Sequence, residues 1–144
     1  MGSFNQINNL KILNLRNNLI INLGNQTTNN QIGNIDLSFN KLTMVPSNLL
    51  NLSLLFNLDL SNNYILSIEN DTFKYCSSSL RTINIESNKL KKILNSYFNR
   101  ANNLLNLNLR KNQISIIQKD AFKALTKLTY MDLSENALFK LDSN

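Results

Sequence analysis

Histidine is absent from this 144-residue chain. Its absence removes the commonest general base near neutral pH and the commonest metal ligand together. One cysteine leaves neither an internal disulfide nor a cysteine-based zinc cluster. No run of about 18 apolar residues occurs, so no helix of this sequence is expected to span a membrane. The amino terminus lacks a basic segment followed by an apolar one, so no signal peptide is visible. Met1-Gly2 opens like a myristoylation site, but Gln6 stands where that motif needs Ser or Thr. Glycine (three), proline (one) and alanine are scarce beside 29 asparagines. With Lys and Ile also common, that bias reads as the imprint of an A/T-rich coding genome and not as a functional signal. Fifteen basic against nine acidic residues give a net charge of +6, which raises the question of nucleic acid or acidic surfaces without answering it.

What is present is a repeat. The block Leu55 to Asn63, LFNLDLSNN, has leucine at its first, fourth and sixth places and asparagine at its ninth. Near-copies occur six times. Their ninth places are Asn18, Asn40, Asn63, Asn88, Asn112 and Asn136, separated by 22, 23, 25, 24 and 24 residues. The first, fourth and sixth places hold Leu10, Leu13, Leu15; Ile32, Ile35, Leu37; Leu55, Leu58, Leu60; Leu80, Ile83, Ile85; Leu104, Leu107, Leu109; and Leu128, Met131, Leu133. Two residues past each asparagine stands an aliphatic (Ile20, Leu42, Ile65, Leu90, Ile114, Leu138), and three further on another (Leu23, Val45, Ile68, Ile93, Ile117, Leu141). With 42% of residues hydrophobic, chance does not fill all thirty sites. Self-similarity at this period is the mark of a solenoid, and this length gives about six turns.

Places four and six differ by two, so both point into the core from one side of a strand. No turn buries its leucines alone; stacked turns do, at about 1.5–3 kcal/mol per fully buried side chain. Each ninth-place amide both donates and accepts, and so suits the satisfaction of backbone groups where the strand bends away.

The pattern resembles the leucine-rich repeat family in its roughly 24-residue form, across nearly the whole chain. The resemblance implies one domain over residues 1–144. Its expected fold is an α/β-type repeat solenoid, a right-handed superhelix with a parallel β-sheet on the concave face and loops or short helical turns on the convex face. A second spine lies ten residues past three of the asparagines, at Phe73, Phe98 and Phe122, with Cys76, Ala101 and Leu125 three residues later. Leu49, Leu52 and Leu55 take that role in repeat two. Phe4, Ile7 and Leu10 repeat the spacing, so the chain opens on the back half of a turn; it closes partway through another, after Leu141. Capping structures common in the family are not visible. The expectation is either a piece of a longer protein or ends covered by a partner or by self-association. Between Leu23 and Ile32 the run GNQTTNNQ is polar where core residues belong, and is expected to loop outward.

In this family the ligand surface is usually the concave strand face. Places three, five and seven are expected to point outward there, flanked by places two and eight. The larger side chains among them, Arg16, Phe39, Phe56, Arg81, Arg110 and Tyr130, are of types enriched at interface hot spots and are the candidate protein-binding residues. Over these places the six turns carry +2, −1, −1, 0, +2 and −2, a neutral total. Phosphate binding needs concentrated positive charge, so nucleic acid is not the expected partner, and the Lys89, Lys91, Lys92 cluster reads as a solvated edge. Asp36 and Asp59 fall on adjacent turns, about 5 Å apart if the strands pair. A carboxylate pair suits acid–base chemistry or a cation, but the wording LDLS recurs at Asp132-Leu133-Ser134 and marks the repeat instead. Neither a metal site, nor a cofactor, nor an enzyme activity is expected. Cys76 matches Ala101 and Leu125 in register and is expected to fill the core. Asn25, Asn51 and Asn70 fit the glycosylation pattern, about as many as composition alone supplies.

The leading reading is therefore a recognition module with a protein ligand, similar to the ectodomain repeats of Toll-type receptors and of immune or adhesion proteins, extracellular or at the cell surface. The alternative is a small intracellular or virus-encoded repeat scaffold or decoy in the cytoplasm, for which the single cysteine is congenial.

Overall fold

The computed structural model describes residues 7–23, 31–46 and 52–139. Phe4, Leu49, Leu141 and the polar run at 24–31, apart from its last residue, lie outside the described residues.

Six short strands build one parallel sheet: β1 (Ile12–Asn14), β2 (Asn34–Asp36), β3 (Asn57–Asp59), β4 (Thr82–Asn84), β6 (Asn106–Asn108) and β8 (Tyr130–Asp132). They pair in chain order, β1-β2-β3-β4-β6-β8, with five full turns between them. The register follows the repeat place for place, so Leu13, Ile35, Leu58, Ile83, Leu107 and Met131 form one inward column. Between the sheet strands, β5 (Lys92–Ile93) and β7 (Ile116–Ile117) pair as a second, two-stranded parallel sheet, and Met44 bridges to Ser67 in the same manner. Among the described residues the rest of the convex side takes the loop-and-turn form, with no helix, and hence no helix long and apolar enough to cross a membrane.

Each strand stops after three residues for a local reason. The fifth place is Asn or Asp in every turn, and its Oδ1 accepts the N–H of the seventh: Arg16 to Asn14, Ser38 to Asp36, Ser61 to Asp59, Glu86 to Asn84, Arg110 to Asn108 and Ser134 to Asp132, at 2.8–3.1 Å. Such an Asx turn competes with continued pairing and bends the chain. The eighth place then adopts the left-handed conformation in all six turns: Asn17, Phe39, Asn62, Ser87, Lys111 and Glu135 have φ of 54–57°.

The ninth-place asparagines lie in one column and stitch turn to turn. Asn63 Nδ2 donates to the carbonyls of Leu60 and Ser61 in its own turn and of Leu37 one turn back, at 3.0–3.1 Å, while its Oδ1 accepts the Leu42 N–H at 3.0 Å. Asn40, Asn88, Asn112 and Asn136 repeat the same four contacts. Among the described residues Asn18, in the first turn, bonds only to Leu15 and Arg16 of its own turn.

Inside the coil, the first-, fourth- and sixth-place aliphatics of the middle turns are fully buried. Those of the outer turns (Leu10, Leu15, Leu128, Met131, Leu133) are only partly so, because a single neighbour shields them. Phe73 stacks on Phe98 with ring centroids 5.9 Å apart and planes 2° from parallel, and Phe98 on Phe122 at 6.2 Å and 29°. Cys76 is fully buried beside Phe73, and burial pushes its thiol pKa up to about 11.

Candidate recognition face

The concave surface is laid down in columns, because side chains at one place of each turn stack about 4.8 Å apart. The third-place column is Ile12, Asn34, Asn57, Thr82, Asn106 and Tyr130. The fifth is the Asx column described above, and beside it run the seventh and eighth.

Shielding corrects one expectation. Ser38 and Ser61, at seventh places assigned to the outward face, are buried. The other four seventh places, Arg16, Glu86, Arg110 and Ser134, sit in the same Asx turn and stay at least partly exposed, so the turn alone does not bury the serines. Ser38 Oγ also donates to Asp36 Oδ1 at 2.6 Å and is covered by Arg16, whose Nη1 donates back to it at 2.8 Å.

The six hot-spot candidates do not form a single patch. Arg16 and Phe39 come together where the strands exit: the guanidinium sits 4.4 Å from the Phe39 ring centroid. Phe56 and Arg81 lie on the opposite, entry edge, where the Phe56 carbonyl accepts the Arg81 N–H at 2.9 Å. The Phe56 ring rests on Gly33: a Cβ there would approach the ring to 2.8 Å, so the absent side chain makes room for the aromatic. Arg81 is held along that edge by the carbonyls of Ser78 and Leu80. Arg110 and Tyr130 belong to the last two turns.

Arg110 is the hub of a charge network there. It lies between Glu86, at 3.5 Å, and Glu135, to which its Nε donates at 2.9 Å and its Nη2 also donates. The Glu135 hydrogen bond and charge hold the guanidinium pKa above its ordinary value. Lys111 also reaches Glu135, and Asn108 Nδ2 donates to Glu86. Tyr130 donates to Asp132 Oδ2 at 3.3 Å, and the Asp132 charge raises the phenol pKa. Hydrogen bonds from Ser134 keep Asp132 below the usual carboxylate range.

Asp36 and Asp59 pair in register, and each is engaged by the repeat's own backbone. Asp36 caps Ser38; Asp59 caps Ser61 and accepts from Asn84 Nδ2 at 3.1 Å. Among the described residues no group of three or more His, Cys, Asp and Glu is placed to hold a metal. A shallow open hollow of about 410 Å³ lies by Asn95, Asn99, Asp120 and Lys123, on the convex side away from the candidate residues. Of the glycosylation candidates, Asn70 is exposed in a turn, whereas Asn25 and Asn51 lie outside the described residues.

Sequence reasoning treated the fifth place as variable surface and missed its cap. The available signal was its restriction to Asn and Asp in all six turns.

Residues 1–89 match the family profile described as a BspA type leucine rich repeat region, and residues 78–138 match a second leucine rich repeat profile. The chain belongs to the leucine-rich repeat family. This leucine-rich repeat chain is 37% identical to keratocan of Gallus gallus over 108 residues, covering 71% of the chain and 29% of keratocan. It is 30% identical to Tsukushi of Gallus gallus over 109 residues, covering 75% and 29%. It therefore spans under a third of these curated relatives. Among solved structures it is similar to a chain of the Toll–Spatzle complex, a molecular hub in Drosophila development and innate immunity. There the TM-score is 0.80 and the identity 31%, over 88% of this chain and 17% of that one. It is also similar to a chain of the TLR13–ssRNA13 complex, with TM-score 0.66 and 25% identity over 96% and 23%.

Proposed function

We propose that this leucine-rich repeat domain is a non-enzymatic recognition module, extracellular or at the cell surface, that binds a protein partner through its concave face. The observation that carries the reading is the division of labour on that face. Asparagine and Asx columns fix the backbone, while Arg16, Phe39, Phe56, Arg81, Arg110 and Tyr130 vary from turn to turn and stay accessible. Rigid support under unlike aromatic and arginine side chains is the arrangement a specific interface uses. The Toll-like neighbours support a receptor or immune setting, with a protein as the ligand class. A protein is favoured over nucleic acid because acidic side chains (Asp36, Asp59, Glu86, Asp132, Glu135) balance the basic ones across the face.

Probing an array of secreted and cell-surface proteins with the whole chain, and single-stranded RNA in parallel, tests this. A protein hit that weakens with Phe39→Ala and Arg110→Ala supports it. Binding to RNA alone, or a protein hit indifferent to every concave substitution, refutes it.

A further inference from the structure

The stretch leading from each concave strand to the small convex sheet carries a surface that the concave reading leaves unused. In the first five turns it runs through residues 19–22, 41–44, 64–67, 89–92 and 113–116. Its backbone is tied turn to turn: the N–H groups of Lys41, Tyr64, Lys89 and Gln113 donate to the carbonyls of Ile20, Leu42, Ile65 and Leu90 at 2.9–3.0 Å. The residues on either side of the inward aliphatic thus form two outward columns. One holds Leu19, Lys41, Tyr64, Lys89 and Gln113; the other holds Ile21, Thr43, Leu66, Lys91 and Ser115.

Two properties coincide on this flank. Leu19, Ile21, Tyr64 and Leu66, with Met44 beside them, are all exposed, Leu19 by 79% and Ile21 by 67%. The core is already filled by the aliphatics between them, so the fold has no use for these. The same five segments also contain four lysines and no Asp or Glu. Among the described residues none of these four makes an ion pair with a carboxylate. Lys41 lies over the Tyr64 ring at 5.1 Å and donates to its hydroxyl at 3.3 Å, which sets one cation within the apolar half.

We propose that this flank is a second interaction surface, separate from the concave face, whose occupant is an acidic protein segment carrying aliphatic or aromatic side chains. The apolar columns of turns one to three would cover those side chains, and Lys89, Lys91 and Lys92 would meet the carboxylates. Three turns separate Leu19 from Lys89, about 14 Å, which an extended segment spans in four to five residues. A nucleic acid strand satisfies the lysines but leaves the apolar half wet. An acidic peptide satisfies both.

The test selects short random peptides on the whole chain and titrates phosphatidylserine vesicles in parallel. Enrichment of peptides mixing Asp or Glu with Leu or Phe is expected. Their affinity should fall about tenfold or more with Lys89→Glu plus Lys91→Glu, and with Leu66→Ser, and hold with Asn106→Ala on the concave face. Leu66, Lys89 and Lys91 are exposed, so the flank variants should melt as the parent does. Peptides without acidic residues, no enrichment, or vesicle binding through the same side chains overturns the proposal. Peptides sensitive to concave substitutions and indifferent to the lysines overturn it while leaving the concave reading standing.

Discussion

The side-chain amide of Asn63 donates to the carbonyl of Leu37, 26 residues earlier and one turn back, at 3.0 Å. Its oxygen accepts the Leu42 N–H of that same earlier turn. One side chain therefore satisfies both a donor and an acceptor that a bending strand would strand in the core. Asn63→Ala should lower unfolding stability by about 1–3 kcal/mol. Asn18→Ala, at a solvent-exposed site whose bonds among the described residues stay within its own turn, should cost under about 1 kcal/mol. Urea denaturation of the two variants checks the difference.

The Asx column offers a charge test. Asn84 caps Glu86 with its oxygen and donates to Asp59 Oδ2 with its nitrogen. In Asn84→Asp the cap survives, but the donor becomes a second carboxylate facing the first. The variant is expected to melt below the parent at pH 7. Like-charge contact raises a carboxyl pKa, so the deficit should shrink as pH falls through the carboxylate range. Melting curves at pH 7 and near pH 4 measure it.

Aromatic residues of similar size should behave oppositely. Phe98 is fully buried between Phe73 and Phe122, and Phe98→Ala should cost about 3–5 kcal/mol. Phe39 is half exposed at φ 56°, a conformation that penalises a bulky side chain and suits asparagine. Phe39→Asn relieves that penalty and loses the Arg16 stacking, worth about 0.5–1 kcal/mol. Its net effect should stay within about 1 kcal/mol. Chemical denaturation of both variants decides the matter.

Cys76 links stability to alkaline pH. Its folded pKa of about 11 lies above the ordinary thiol value, so the unfolded chain releases the proton first. Stability that is intact below about pH 8.5 should decline as pH rises toward 11, by about 2–3 kcal/mol over the window. Cys76→Ala should remove that slope, which unfolding curves at pH 8 and pH 10.5 would reveal. The native thiol should label with a thiol reagent only after denaturation.

Much of the coil was legible because stacking imposes strict periodicity. The inward leucines, the asparagine column and the Phe73, Phe98, Phe122 spine repeat at fixed offsets and fall where that spacing puts them. Ser38 and Ser61 are buried where Arg16, Glu86 and Arg110, at the same place and in the same Asx turn, keep their longer side chains accessible. The left-handed eighth place was illegible for a different reason. Asn17 and Asn62 suit it, but Phe39, Lys111 and Glu135 do not, so composition hides a conformation that the turn imposes. Of the candidate contact residues, sequence named the side chains but not their grouping. That Arg16 lies over Phe39, and Arg110 between Glu86 and Glu135, depends on register across turns 22 to 25 residues apart.

Turn-to-turn dependence is read most directly by amide hydrogen exchange in Asn63→Ala. The Leu42 N–H, which loses its acceptor, should exchange about tenfold or more faster than in the parent, while the Ile114 N–H, bonded to Asn136 three turns away, should keep its protection. A Leu42 amide as slow in the variant as in the parent would contradict the stitching of each turn to the one before it.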